Sequence, residues 1–205
     1  MKLVLATNNP HKVEEIKSIL SDLEVEILTP EDFDGFPELK EEGSTLEENA
    51  ISKAMVTCRF TGLPSLADDT GLEVEALDGA PGVRSARFAG ETATYDDNNR
   101  KLLSLLEGLP KQKRNAVFRC VIAIAFAEQD VQTVEGRAEG IIVEKPRGRA
   151  GFGYDPLFYF PPLGRTFAEL SPHEKNRVSH RAKALARAKE LLVHKLSEGK
   201  SNRRI

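Results

Sequence analysis

The sequence contains only two cysteines, Cys58 and Cys120, which lie far apart and form no Cys-x-x-Cys motif. Both lie in segments with apolar periodicity, so we expect buried free thiols in a reducing compartment. This spacing disfavours a structural disulfide or a cysteine-ligated zinc site.

Long hydrophobic segments are also missing. The longest run of aliphatic and aromatic residues covers positions 121–127, far short of the roughly 18 residues that suggest a membrane span. The apolar stretch at positions 3–6 is too short for the hydrophobic region of a secretory signal peptide. We therefore expect a cytoplasmic protein without a membrane segment.

The chain has no strong excess of either charge. Its 205 residues include 29 Lys and Arg and 32 Asp and Glu, which gives a net charge of -3. This balance disfavours a globally basic nucleic-acid-binding protein. The length suits one large domain with a well-buried core, or two lobes that share one sheet.

Neither of the common glycine-rich phosphate motifs, G-x-G-x-x-G and G-x-x-x-x-G-K-[ST], occurs in the sequence. Instead, a predicted strand at residues 2–6 leads through a polar loop into a helix. Asn9 is a good N-cap and Pro10 a good first helical residue. The free backbone N–H groups at this junction, together with Lys12, suit a phosphate chain, although the same pattern is typical of an ordinary strand–helix loop.

A predicted second strand at residues 25–28 is followed by an acid-rich loop that includes Glu41. The next helix is predicted to begin with a capping box at Ser44-Thr45-Leu46-Glu47. On that helix, Asn49 and Lys53 lie four residues apart and therefore share one face. They are either ordinary surface residues or ligands of a triphosphate.

Asp68 and Asp69 lie between a predicted strand and the alternating run at residues 72–76, so we expect them at a turn. Two neighbouring carboxylates repel each other unless a cation or a shared proton relieves them. Alternatively, the two aspartates only shape an Asx-turn before Gly71.

The middle of the chain has the patterns of structural helices and strands. Residues 94–106 have the pattern of a helix that we interpret as structural, and residues 115–127 have the pattern of the strongest strand in the chain. Residues 131–138 and 141–143 follow as an antiparallel partner, which predicts a mixed sheet.

The segment Gly151-Phe152-Gly153-Tyr154-Asp155-Pro156 is either a tight turn or a binding loop. Its glycines permit close backbone approach, and Phe152 offers a face on which a flat ligand can stack. Farther on, Ser171 to Glu174 has the pattern of a capping box, and Ser179 is expected to cap the final helix. The polar tail at residues 197–205 is expected to be frayed.

Seven motifs occur in order along the chain: TNNPHK, GSTLEENA, ADDTGL, GAPGVRSAR, GFGYDP, ELSPHEKN and SHRAKAL. Each is weak alone, but the ordered set resembles the inosine/xanthosine triphosphate pyrophosphatase family and spans residues 7–185. The resemblance implies an elongated two-lobed α/β fold around a long mixed β-sheet with flanking helices. It also implies an active site in the cleft between the lobes, a single pyrophosphatase domain over residues 1–196, and a homodimer.

The resemblance further implies Mg²⁺, with Asp69 and Glu41 as its carboxylate ligands; Glu42 is the alternative to Glu41. It makes Asp69, Asp68 and Lys12 the catalytic candidates, without deciding which aspartate takes the proton. The expected contacts with the triphosphate are Thr7, Asn8, Asn9, Pro10, His11, Lys12 and Lys53. The expected contacts with the rest of the nucleotide are Thr70, Phe152, Gly153, Tyr154, Asp155, Lys175, His180 and Arg181.

These residue types suit attack of water on an α-phosphate, since the reaction needs charge neutralisation and an oriented nucleophile. Backbone donors near Tyr154 and His180 suit the carbonyl at purine position six. Two alternatives remain open at this point. One is a septum-inhibitor-like pyrophosphatase acting on modified or pyrimidine nucleotides, and the other is a nucleotide- or RNA-binding module without turnover.

Overall fold

The computed structural model describes residues 1–201, with side chains described through Glu198. Within that range, eight strands form one mixed sheet in the order β2-β1-β3-β5-β6-β7-β8, with β4 paired to β3. The strands are β1 (Lys2–Leu5), β2 (Glu26–Leu28), β3 (Ser65–Val74), β4 (Pro81–Gly82), β5 (Asn115–Ala127), β6 (Asp130–Ile142), β7 (Phe158–Phe160) and β8 (Arg165–Thr166). The helices are α1 (Pro10–Ile19), α2 (Leu46–Thr61), α3 (Tyr95–Leu105), α4 (Pro172–Val178) and α5 (His180–Ser201).

The sheet combines both strand directions, as the sequence predicts. β1 runs parallel to β2 and to β3, with Val4 paired to Leu28 on one side and to Ser65 on the other. β3 and β4 are antiparallel, as are β6 and β7 and then β7 and β8. The mixed α/β class is therefore confirmed.

The chain divides into two compact units. The first comprises Met1–Asp69, Val121–Gly136 and the segment from Ala182 onward, and the second comprises Thr70–Cys120 and Arg137–Arg181. The first unit buries β1, one side of α1 and the inner face of α2. The second is built around an aromatic core that includes Phe118, Phe158 and Phe167.

Local signals placed several elements correctly. Asn9 caps α1 by accepting hydrogen bonds from the His11 and Lys12 N–H groups. β5 has its predicted bounds, and Ser171 caps α4 through a capping box with Glu174. Cys58 and Cys120 are buried free thiols.

The expected turn at Asp68 and Asp69 is wrong, because β3 continues without interruption from Ser65 to Val74. Asp68 is 1% exposed and Asp69 is 4% exposed. Since successive side chains of a strand point to opposite faces, the two carboxylates do not form one shared pair. An Asp-Asp-Thr-Gly sequence favours a turn locally, but tertiary partners for both carboxylates stabilise the strand.

Two smaller corrections concern the start of α2 and the continuity of β6. The N-cap of α2 is Thr45, which accepts from the Glu48 N–H, so the capping pattern lies one residue later than predicted. β6 runs unbroken through the expected gap at residues 139–140. α5 extends to Ser201, and residues 202–205 lie outside the described part of the chain, so the fraying of the polar tail stays a prediction.

In residues 1–201, no helix combines the length and apolar character needed to cross a membrane.

Candidate active site

Lys53 is the centre of a charged cluster in the first unit. It lies on α2 and is 5% exposed. Its Nζ donates to Glu41 Oε1 at 2.6 Å, to the Asp68 carbonyl oxygen at 2.8 Å and to Asp69 Oδ1 at 3.0 Å. One ammonium group therefore brings two carboxylates, from a loop and from β3, to a common cationic centre.

Asn49 supports this arrangement from the preceding turn of α2. Its Nδ2 donates to Asp69 Oδ2 at 3.1 Å, and its Oδ1 accepts from the Gly43 N–H at 2.7 Å. Asn49 thus fixes Asp69 and the loop that carries Glu41. The four-residue spacing from Lys53 was the sequence signal that made Asn49 a candidate ligand of the triphosphate.

Lys12 lies near the start of α1 and pairs with the second aspartate. Its Nζ lies 3.1 Å from Asp68 Oδ2. Asp68 and Asp69 are consecutive in β3, yet each has its own lysine, Lys12 for Asp68 and Lys53 for Asp69. We call Lys12, Glu41, Lys53, Asp68 and Asp69 the lysine–carboxylate cluster.

The carboxyl groups beside Lys53 differ in proton affinity. Burial raises the pKa of Asp69 to about 6, and the Glu41 carboxylate adds to this rise, although the ammonium groups of Lys53 and Lys12 oppose it. Burial is the largest single influence on Glu41 and disfavours its ionised form, but the charge and hydrogen bond of Lys53, together with Lys12 and Asp69, outweigh it and lower the Glu41 pKa. For Lys53, burial is outweighed by Asp69 and Glu41, so its pKa is raised.

The cluster fits a hard divalent cation that also binds phosphate. Among the described residues, no group of three or more His, Cys, Asp and Glu side chains is arranged to hold a metal by itself. Mg²⁺ needs less, because it is usually held by one or two carboxylates together with water and substrate phosphates. Asp69 and Glu41 both reach the single cationic centre that Lys53 occupies, so their oxygen atoms suit such an ion.

The second unit contains a different cluster, formed by Phe152, Asp155, Lys175 and Arg181, which we call the aromatic–cation cluster. Lys175 Nζ donates to Asp155 Oδ2 at 2.6 Å and lies 4.8 Å from the centre of the Phe152 ring. The Arg181 guanidinium carbon lies 5.4 Å from the same ring centre. Two cations therefore lie against an aromatic ring that is only half-buried.

Asp155 also closes the loop that presents Phe152. Its Oδ2 accepts from the Phe152 N–H at 2.9 Å, and its own N–H donates to the Phe152 carbonyl at 3.2 Å. Gly151 has a φ of +75°, and a Cβ there would lie 2.1 Å from Asp155 Oδ2. Glycine is therefore required at position 151 for this loop conformation.

Thr70 joins this second cluster. Its Oγ1 accepts from Arg181 Nη2 at 3.2 Å, and Arg181 is 1% exposed. Burial of a guanidinium group on this scale is tolerated only where its donors are used.

The side chains of two expected nucleotide contacts, His180 and Tyr154, have partners within the protein. The His180 ring stacks on Phe118 at 4.5 Å between ring centres and is 3% exposed as a residue. Tyr154 belongs to the aromatic core, its hydroxyl donates to the Ser85 carbonyl at 2.9 Å, and burial raises its pKa. For both residues, the backbone is the better candidate for ligand recognition.

The first loop, between β1 and α1, contains the residues that are expected to contact phosphate. Thr7 Oγ1 accepts from the Asn9 N–H at 3.2 Å. Asn8, Pro10 and His11 are exposed. Their expected role as phosphate contacts is a prediction that the described contacts do not address.

Comparison with known proteins identifies relatives over nearly the whole chain. Residues 3–191 match the profile of the Ham1 family. A dITP/XTP pyrophosphatase of Desulforamulus reducens is 54% identical over 192 residues, covering 94% of this chain and 96% of that protein. A dITP/XTP pyrophosphatase of Geobacter sulfurreducens is 52% identical over 191 residues, covering 93% and 96% respectively.

Solved structures agree with these relatives. A HAM1 protein from Coxiella burnetii superimposes with a TM-score of 0.87 at 44% identity, covering 95% of this chain and 99% of that chain. The expected mixed α/β fold, a long mixed sheet with flanking helices, and the family resemblance are thereby confirmed. The chain belongs to the Ham1 family.

Proposed function

We propose that this chain hydrolyses non-standard purine nucleoside triphosphates, namely ITP, dITP and XTP, to the nucleoside monophosphate and pyrophosphate. The observation that carries this proposal is the Lys53 ammonium shared by Asp69 and Glu41, at 3.0 and 2.6 Å. It marks a place where carboxylates converge on a cation. The curated relatives, named dITP/XTP pyrophosphatases, support the substrate class.

Mg²⁺ is the proposed cofactor, with Asp69 and Glu41 as its protein ligands. When bound, it would neutralise charge on the triphosphate oxygens. Lys12 and Lys53 add positive charge from the protein and would stabilise the departing pyrophosphate. Their buried or half-buried ammonium groups act in surroundings where charge is weakly screened.

Asp69 is the proposed base. It would accept a proton from water as the water oxygen bonds to the α-phosphorus and the bond from that phosphorus to the bridging oxygen breaks. A general base works best when its pKa lies near the working pH, and in the metal-free protein burial raises the pKa of Asp69 above its ordinary value. Asp68 would act indirectly by holding the Lys12 ammonium, which lies 3.1 Å from its Oδ2.

The aromatic–cation cluster suits the purine. Phe152 offers a stacking face, while Thr70, Lys175 and Arg181 supply polar groups around it. Hypoxanthine and xanthine carry a carbonyl at position six, whereas adenine carries an amino group. Backbone N–H groups of Gly153, Tyr154 and His180 would donate to the carbonyl, whereas the amino group of adenine would place one donor against another.

The setting proposed for this enzyme is a homodimer in the cytoplasm. The free, buried Cys58 and Cys120 are in keeping with a reducing compartment. The dimer is proposed from the family resemblance, and its test is the molar mass in solution at several protein concentrations. A mass equal to one chain at every concentration would rule out the dimer.

The activity is tested by measuring pyrophosphate and orthophosphate release with Mg²⁺ from ITP, dITP, XTP, GTP, ATP and dTTP. We expect pyrophosphate from the first three and little product from the others. Orthophosphate as the main product would contradict the proposed bond cleavage. Nucleotide binding without any product would instead support a binding module, and Asp69→Asn provides the matched inactive control.

A further inference from the structure

Helix α3, predicted to be purely structural, contacts the loop that presents Phe152. Tyr95 and Asn99 are one turn apart on α3 and therefore share a face. The Tyr95 ring lies 6.1 Å from the Phe152 ring between centres, and Tyr95 is 44% exposed. Asn99 Nδ2 donates to the Gly153 carbonyl oxygen at 3.0 Å.

One of the two polar ends of the Asn99 side chain has no partner in the described part of the chain, which does not favour the stability of the fold. Asn99 is 7% exposed, and its Oδ1 has no hydrogen-bond partner among the described residues. A buried acceptor without a partner lowers stability. Within residues 1–201, Asn99 therefore has a donor that is hydrogen-bonded to the Phe152 loop and a buried acceptor that has no hydrogen bond.

The neighbouring residue provides a contrast. Asn98 Oδ1 accepts from the Ala89 N–H at 2.7 Å, and Asn98 Nδ2 donates to the Ala86 carbonyl at 2.9 Å. Both ends of Asn98 are therefore used to fasten one connection to α3. Asn98 has the contacts of a structural clamp, whereas Asn99 makes a single bond at the centre of the Gly151 to Asp155 loop.

The Asn99 bond fixes more than one atom. A peptide unit is planar, so holding the Gly153 carbonyl also fixes the direction of the Tyr154 N–H in the same unit. That N–H is one of the backbone donors proposed to meet the carbonyl at purine position six. Gly153 has a φ of +62°, and without a side chain of its own it depends on outside contacts to hold this conformation.

We propose that Asn99 is a positioning residue for purine recognition. Its amide holds the Gly153 carbonyl, which sets the direction of the Tyr154 N–H and the tilt of the Phe152 ring that Tyr95 backs. This inference rests on the proposed function for its substrate. Its structural part, the ordering of the loop by Asn99, stands on the contacts alone.

The kinetic test compares Asn99→Ala and Asn99→Asp with Asn98→Ala. Asn99→Asp retains the shape of the side chain and removes the donor. We expect both Asn99 variants to raise KM for ITP about 10-fold while kcat changes by less than about 2-fold, since a ground-state binding contact is lost. KM for ATP should rise less than KM for ITP, because ATP loses only the ordered stacking ring, so the preference for ITP over ATP narrows.

The control should respond in the opposite manner. Asn98→Ala loses two hydrogen bonds, so we expect a lower Tm and a KM for ITP within about 2-fold of the wild type. Asn99→Ala also removes the unsatisfied oxygen, so its Tm should stay close to that of the wild type. Equal increases of KM in the Asn98 and Asn99 variants, or unchanged KM in both Asn99 variants, would overturn the proposal.

A second measurement decides the structural part without substrate turnover. Amide hydrogen exchange of residues 152–155 should be faster in Asn99→Ala than in the wild type or Asn98→Ala, because the loop loses its anchor. Unchanged exchange would overturn the positioning role. If the wild type releases no pyrophosphate, the proposed function fails, and the exchange result still shows whether Asn99 orders the loop.

Discussion

The two clusters share one feature, a buried lysine–aspartate pair, and differ in what surrounds it. Lys53 and Asp69 pair at 3.0 Å, and Lys175 and Asp155 pair at 2.6 Å. Lys53 also pairs with a second carboxylate, Glu41. Asp155 instead accepts a second hydrogen bond, from the backbone N–H of Phe152.

This difference suits the lysine–carboxylate cluster to the reaction and the aromatic–cation cluster to recognition of the base. Three carboxylates and two ammonium groups leave the lysine–carboxylate cluster with a deficit of positive charge when all are ionised, which a divalent cation would correct. The pair in the aromatic–cation cluster is balanced and orders a loop. The same ion pair can therefore help to form a cation site or close a turn, depending on its neighbours.

The largest expected effect is on turnover. Asp69→Asn should lower kcat for ITP about 1,000-fold, since both a Mg²⁺ ligand and the proposed base are lost. Asp155→Asn should instead raise KM, because it loosens the Phe152 loop. Steady-state kinetics with both variants check this division, and a KM effect confined to Asp69→Asn would reverse our assignment of the clusters.

The next effect is on stability. Lys53→Met should lower the free energy of unfolding by about 3 kcal/mol, because two carboxylates lose their common counter-charge while remaining buried. Lys175→Met should cost less, since only one carboxylate is involved. Urea denaturation of both variants measures the difference, and a larger loss for Lys175→Met would contradict the comparison.

The raised pKa of Asp69 predicts how stability depends on pH. The folded value is about 6 and the ordinary value is 3.8, so between these the folded protein holds a proton that the unfolded chain has released. The contribution of Asp69 is therefore fully present below pH 3.8 and is lost as the pH rises through about 6.

An asparagine at position 69 carries no charge at any pH, so the Asp69→Asn variant does not lose stability in this way. In metal-free buffer at pH 8, Asp69→Asn should be more stable than the wild type by about 3 kcal/mol, and the difference should shrink toward pH 4. Thermal unfolding of both proteins across this range provides the measurement. A wild type that is the more stable protein at pH 8 would show that ionised Asp69 is favoured in the fold.

The smallest effect concerns the aromatic ring. Phe152→Ala should raise KM about 10-fold for every purine triphosphate that is tested, because stacking depends little on the exocyclic groups. The kcat should be nearly unchanged. An increase confined to ITP would show that Phe152 distinguishes bases instead of stacking on all of them.

The sequence predicted those features that depend on interactions between residues close together in the chain. The Asn9 cap and the capping box at Ser171 depend on hydrogen bonds within four residues, and the β-branched and aromatic residues of β5 favour a strand by themselves. The ordered motifs predicted the family and placed Glu41, Lys53 and Asp69 in one expected site. The structure brings these three together.

The contacts that the sequence did not reveal have a common physical cause. Asp68 and Asp69 lie within a strand because lysines distant in sequence pair with them, and no local pattern encodes those partners. The hydroxyl of Tyr154 reaches Ser85, and Asn99 reaches Gly153, across 69 and 54 positions of sequence. Such contacts become visible only when the chain is folded.

The central claim is that the lysine–carboxylate cluster directs water to the α-phosphate. Hydrolysis of ITP with Mg²⁺ in water enriched in oxygen-18, followed by mass spectrometry of both products, tests it most directly. We predict that the label appears in inosine monophosphate and that pyrophosphate remains unlabelled. Label in the pyrophosphate would place the attack on the β-phosphate and contradict the account.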